Sequence, residues 1–262
     1  MPLSKDQRAY LQTLDKNRGH GRNMLGKANK PDIERFYAPY MAFSEAMEGG
    51  LHAAVNGLNA YKDFVSEHSE FSSQSKFAPT IIEEFLCLLL QDRFGNDVLR
   101  YGSIKAYSSL YFSYSGTEDF KQGAHLRINV KDQDVSIFKE EVITTTDGTA
   151  HKIFIPLVCI ECKTYLDKTM YEGSVATAAK IKSGNPHCLF IIVTETYEIA
   201  SNVDVSSSQI DNIYVLRKRR RRRDIPIQED VVQSLLARIE RHLTDERLPV
   251  DEMIRQRGYL LE

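Results

Sequence analysis

Residues 157 to 164 read Leu-Val-Cys-Ile-Glu-Cys-Lys-Thr, an apolar run that carries two opposite charges at its end. Burying an ionised side chain without a partner strongly disfavours folding. A fold that covers this segment must therefore place Glu161 and Lys163 where a counter-charge, water or an ion can meet them. The stretch Leu157–Ile160 is apolar enough to be covered on both faces, like an inner strand of an α/β sheet. Side chains alternate along a strand, so 159, 161 and 163 share one face while 160, 162 and 164 share the other. Glu161 and Lys163 are expected side by side.

The flanking sequence supports a sheet with helices on it. Residues 1–70 read mainly as helix with polar breaks, and Gly49-Gly50 interrupts the helical spacing of Phe36 to Tyr61. Phe71 to Ser75 reads as a polar loop. Pro79-Thr80 opens a helix over Ile81–Phe94, which Gly95-Asn96 ends. Strand character follows in Ile104–Tyr114, then in Leu126–Val130 and Asp134–Phe138 as two short strands or one bent one. Thr144–Gly148 is a turn, and Ile153–Tyr165 is a long strand in which Pro156 is tolerable near the start. Tyr171–Ser183 reads as helix, Cys188–Thr194 and Ile213–Leu216 as strands, and Glu229–His242 as an amphipathic helix. The expected class is α/β, a mixed central β-sheet flanked by helices. The expected division is a helical N-terminal region over 1–70 and a domain built on the mixed sheet over 71–262.

With 262 residues, 42% of them hydrophobic and 27% charged, the chain can bury a substantial core. No apolar run approaches the roughly 20 residues of a membrane span, and Met1–Asn29 has no apolar signal segment, so a cytoplasmic protein without a membrane partner is expected. The four cysteines read as reduced, buried thiols. The formal net charge of −2 does not advertise nucleic-acid binding, but its distribution does. Arg217, Lys218, Arg219, Arg220, Arg221, Arg222 and Arg223 form an unbroken basic run that reads as a phosphate-contacting segment. Its alternative is a solvated loop.

A further carboxylate lies upstream, in Asp132-Gln133-Asp134. If its strand neighbours the 157–164 strand, Asp134 and Glu161 can share a hard divalent cation while Lys163 stands beside it. Phosphodiester hydrolysis uses such a cation to hold phosphate and water, and a nearby lysine to orient water or offset developing charge. A Glu-x-Lys alone is equally an ion pair on a solvated face; the apolar residues before it and the Asp134 strand favour the site.

The stretch Cys159-Ile160-Glu161-Cys162-Lys163-Thr164-Tyr165-Leu166-Asp167-Lys168 resembles the catalytic strand of the PD-(D/E)xK restriction endonucleases, specifically the BbvCI-like group. Ile191–Thr196, Gln209–Lys218 and the helix Pro79–Leu86 extend the resemblance over roughly residues 75–220. It implies a restriction endonuclease-like core and a type II enzyme that cuts double-stranded DNA at a short specific sequence with Mg²⁺. It further implies Glu84 as the acid of the first core helix and Asp134 as the metal-binding aspartate, with Glu161 and Lys163 as the acid-x-Lys pair. Glu84, Asp134 and Glu161 become metal ligands. Gln133 stands where the family name has proline, Asp132 competes with Asp134, and Glu83 adjoins Glu84. The resemblance implies a homodimer or a heterodimer with a related subunit. A structure-specific repair or recombination nuclease and a non-catalytic DNA-binding module are the other readings of the same residues.

Two motifs have plainer explanations. Cys159-Ile160-Glu161-Cys162 has zinc-like spacing, but its cysteines point to opposite faces of a strand and no second pair exists. Gly21–Ala28 nearly matches a phosphate-binding loop, yet it lacks the closing Ser/Thr and follows no apolar strand.

Overall fold

The computed structural model describes residues 1–68, 77–123, 125–145, 148–221, 224–245 and 250–257. The N-terminal region forms four helices: α1 (Lys5–Thr13), α2 (Gly19–Gly26), α3 (Glu34–Ala46) and α4 (Gly50–Glu67). Ser4 starts α1 with a reciprocal capping box to Gln7. A short 3₁₀ turn, Met47–Gly49, separates α3 from α4 where the glycine pair was expected to break the helix. The polar loop at 71–75 and the proposed boundary at 70/71 lie outside the described residues.

The rest of the chain builds α5 (Pro79–Phe94), β1 (Arg100–Ser113), α6 (Thr117–Gln122), β2 (His125–Thr144), β3 (Ala150–Leu166), α7 (Lys168–Gly184), β4 (Leu189–Tyr197), β5 (Asn212–Val215), α8 (Glu229–Thr244) and α9 (Val250–Arg257). The five strands form one sheet in the order β1-β2-β3-β4-β5. β1, β2 and β3 run antiparallel, and β3, β4 and β5 run parallel, with α7 as the crossover from β3 to β4. This is the mixed α/β architecture expected from the sequence. The Leu126 and Asp134 segments belong to one strand, β2, whose register slips against β1 near Gly102 and Tyr107. Pro156 sits beside the register shift between β2 and β3, where its missing N–H costs no ladder bond. The helices α6 and α9 lie in segments that carry no clear apolar period.

α5 and α7 cover opposite faces of the sheet. Val158, Ile160 and Cys162 of β3 pack with Phe85 and Leu86 of α5, while Cys159 packs with Ala178 and Ile181 of α7. The alternation expected for residues 158–162 is thus realised, and Cys159 and Cys162 are buried thiols on different faces. The α5 side is one continuous core: Leu11, Phe36 and Leu58 of the N-terminal helices join Val135, Val193 and Leu235 of α8 in it. Gly184 ends α7 hard against β1, where an added Cβ would stand 2.0 Å from the Ser108 carbonyl oxygen, so only glycine permits this approach. Among the described residues no helix is long and apolar enough to cross a membrane.

Candidate active site

The β2–β3 ladder ends at the pair Val135–Ile160. Beyond it the strands part, and the Asp134 side chain bridges the gap: its Oδ2 accepts the Cys162 backbone N–H at 2.9 Å. The parting opens a cavity of about 830 Å³, lined among others by Thr80 and Glu83 of α5, Asp132 and Asp134 of β2, and Lys163 and Tyr165 of β3. A splayed pair of strands is what brings two carboxylate-bearing segments and a lysine to one concavity.

Glu161 and Lys163 meet as strand parity requires, with Nζ 2.7 Å from Glu161 Oε1. Both are only partly exposed, at 19% and 24% of the side chain, so this is not a solvated surface pair. Burial pushes the Lys163 ammonium down, but the carboxylates of Glu161 and Asp134 outweigh it and hold its pKa above the ordinary lysine value. The ammonium therefore stays charged at neutral pH. Glu161 Oε2 is buried and has no hydrogen-bond partner among the described residues. A carboxylate oxygen in that condition is costly unless something positive reaches it.

That orphan oxygen, with Asp134 acting on the same lysine, suits a hard divalent cation. Among the described residues no three His, Cys, Asp or Glu side chains gather into a closed metal cage. Mg²⁺ does not need one, since it keeps several waters and is commonly held by one or two carboxylates plus substrate phosphate. Asp132 also lines the cavity, but it is exposed. Of the two aspartates, Asp134 is the one tied to the β3 backbone and acting on Lys163.

Glu84 is not brought to this cavity. It is 1% exposed and faces the N-terminal helices. There its Oε2 accepts the backbone N–H groups of His20 and Gly21 at 2.8 and 3.1 Å, and its Oε1 accepts the Tyr40 hydroxyl at 2.9 Å. It is the anion at the N-terminal turn of α2, the helix spanning most of the phosphate-loop-like segment. Gly21 makes this possible, because a Cβ there would fall 2.4 Å from the Tyr40 hydroxyl. The neighbouring Glu83 lines the cavity instead. Substituting Glu84→Ala should destabilise the fold by about 2–4 kcal/mol, since it strands buried donors. Glu83→Gln should leave the unfolding midpoint unchanged and slow DNA cleavage about tenfold. Thermal melts and plasmid cleavage on both variants check the exchange of roles; the reverse pattern would restore Glu84 to the site.

The basic run divides. Arg217 is 4% exposed and points inward, not toward solvent. Its Nε and Nη2 donate to Glu195 Oε2 at 3.0 and 2.8 Å, and Lys62 of α4 reaches Glu195 Oε1 at 2.6 Å. Arg217 therefore cannot contact DNA as expected: it is one of two buried cations on a buried carboxylate. Lys218 pairs with Asp230 on the surface, Arg220 donates to the Ile199 carbonyl, and Arg219 and Arg221 are exposed. Arg222 and Arg223 lie outside the described residues. The sequence did hold a signal for the triad: Glu195 is a lone charge inside the buried strand β4, which demands a partner.

Residues 74–225 match the family model described as Bpu10I restriction endonuclease. Among solved structures, one titled "native BbvCI A2B2 tetramer at low resolution" superposes with a TM-score of 0.67 over 94% of this chain and 100% of that chain. Its sequence identity of 22% makes this a likeness of fold. No curated protein matches the chain.

Proposed function

The chain belongs to the Bpu10I restriction endonuclease family, and from that premise we propose that it is a type II enzyme that hydrolyses phosphodiester bonds of double-stranded DNA at a short specific sequence, using Mg²⁺ held by Asp134 and Glu161. The observation that carries this reading is the parting of β2 and β3 around Asp134, Glu161 and Lys163, with a buried, unpartnered oxygen on Glu161.

The chain's own residues divide the work. Asp134 is fixed by the Cys162 N–H and acts on Lys163 together with Glu161, so it would share the cation with Glu161. Glu161 offers Oε2. Bound there, Mg²⁺ supplies Lewis-acid stabilisation of the scissile phosphate and a more acidic water. Lys163 keeps its proton at neutral pH and donates to a phosphate oxygen or orients the attacking water, offsetting charge as the bond to the leaving oxygen breaks. Glu83, on the α5 wall, is placed to accept hydrogen bonds from water entering the cavity.

One such site cuts one strand, so a double-strand break takes two catalytic chains or two sequential cuts, and a palindromic site favours two chains. We assign the role of the second chain to another copy or to a related subunit; the A2B2 tetramer of the structural neighbour supports it. Residues 1–70 are the helical part available for DNA or subunit contact, and 71–262 the catalytic part. The test is plasmid DNA with purified protein and Mg²⁺. Discrete linear fragments mean that the chain pairs with itself. Nicks at fixed positions mean that it needs a related subunit. Cleavage that follows DNA shape, not sequence, would replace the restriction reading with a structure-specific nuclease, and binding without any cleavage would leave a non-catalytic module.

A further inference from the structure

A second cavity, of about 640 Å³, lies on the same face of the sheet as Glu161, beyond the N-terminal turn of α7. Its place follows from the register: Lys163 pairs with Thr194, and Thr194 with Val215, which lines this second cavity. Two strand spacings make about 10 Å. Its floor is apolar, formed by Tyr197, Val205, Ile210 and Ile213. Its rim is cationic, with Arg219 and Arg220 from the basic run. The Arg220 guanidinium lies over the Tyr197 ring, 5.6 Å from its centroid. The carboxylate on the rim, Asp211, is already neutralised by Lys182 at 2.7 Å. The Arg219 side chain donates to the neighbouring Lys218 carbonyl and forms no ion pair among the described residues. Lys218 and Arg221 hold φ of 50° and 57°, a left-handed backbone that costs such residues free energy and is retained where it serves placement.

An apolar, aromatic floor under two guanidinium groups that meet carbonyls but no carboxylate among the described residues suits a flat apolar body that carries an anion. We propose that this pocket takes one nucleotide unit of single-stranded DNA, its base against Tyr197 and its phosphate on Arg219 and Arg220. That the nucleotide belongs to a DNA strand rests on the nuclease reading; the pocket chemistry does not. Two strand spacings separate Lys163 from Val215 of this pocket, so a nucleotide held there belongs to DNA that runs past the cutting cavity. An unstacked nucleotide held there would read or mark the strand beside the scissile bond.

The experiment measures binding of a fluorescein-labelled single-stranded octanucleotide to the full chain, across a salt series, by anisotropy. Tyr197→Ala should weaken binding about tenfold at every salt concentration without changing the slope, as loss of stacking does. Tyr197→Phe should restore it. Arg219→Ala should weaken binding and lower the magnitude of the salt slope by about 0.7, as loss of one phosphate contact does. A deoxynucleoside monophosphate should compete at concentrations where inorganic phosphate and the nucleoside alone do not. Unchanged binding in Tyr197→Ala with an unchanged thermal midpoint would overturn the proposal, as would equal competition by inorganic phosphate. The assay is run in the Lys163→Ala background, so its outcome is independent of whether the chain cuts DNA.

Discussion

Replacing Lys163 with alanine is expected to reduce plasmid cleavage by about 10³-fold or more, while Kd for duplex DNA in Ca²⁺ changes less than about threefold. The asymmetry follows from the site. The ammonium pairs with Glu161, is held protonated by Glu161 and Asp134, and lines the cavity between β2 and β3. Removing it deletes a donor that acts when charge builds on the reacting phosphate, an interaction worth most in the transition state. On the proposed reading Asp134 and Glu161 would still hold a cation in this variant, so binding in Ca²⁺ is expected to persist. Cleavage within tenfold of wild type would remove Lys163 from the chemistry and leave it as the counter-ion of Glu161.

Glu195→Ala is expected to cost about 3–5 kcal/mol of stability. Lys62 and Arg217 are 8% and 4% exposed, and the substitution would leave both buried without their anion. Lys62 comes from α4 and Arg217 from the segment after β5, so the triad fastens the N-terminal helices to the C-terminal ends of the parallel strands. Burial alone would raise the Glu195 pKa, but the two cations overcome it and hold it below the usual glutamate value of 4.5. A carboxylate depressed in the folded state adds stability above its unfolded pKa and loses that stability as pH falls through its folded pKa. The deficit of Glu195→Gln in urea melts should therefore be full at pH 7 and shrink below about pH 4.5. An unchanged midpoint at pH 7 would mean that the triad contributes nothing net.

Much of this was legible in the sequence because it rests on local rules. Period-two alternation with charges inside an apolar run placed Glu161 and Lys163 on one face of a buried strand. The apolar runs around Val158 and Ile191 marked β3 and β4, and the break at Gly49-Gly50 was readable from backbone chemistry. What escaped depended on which side of an element meets which neighbour. α5 is buried almost all round, so its apolar pattern does not separate Glu83 from Glu84; only the packing of α2 and α3 behind it does. Basic residues in a run look alike in sequence, yet Arg217 turns inward because Glu195 directly follows Thr194, the last β4 residue paired with β5, and meets its guanidinium there. The continuity of β2 was ambiguous because its polar middle gives no sign of whether a bend ends a strand or only bulges it.

The central claim is that Asp134, Glu161 and Lys163 form a metal-dependent DNA-cutting site. It is tested most directly by plasmid cleavage with wild type and Asp134→Asn side by side, titrated with Mg²⁺ in metal-free buffer and followed by gel. The account predicts that wild type yields nicks or breaks at fixed positions only when Mg²⁺ is added. It predicts that Asp134→Asn, with an unchanged thermal midpoint, yields none at any Mg²⁺ concentration. Cleavage by wild type without a divalent cation, or by Asp134→Asn at the wild-type rate, would contradict it.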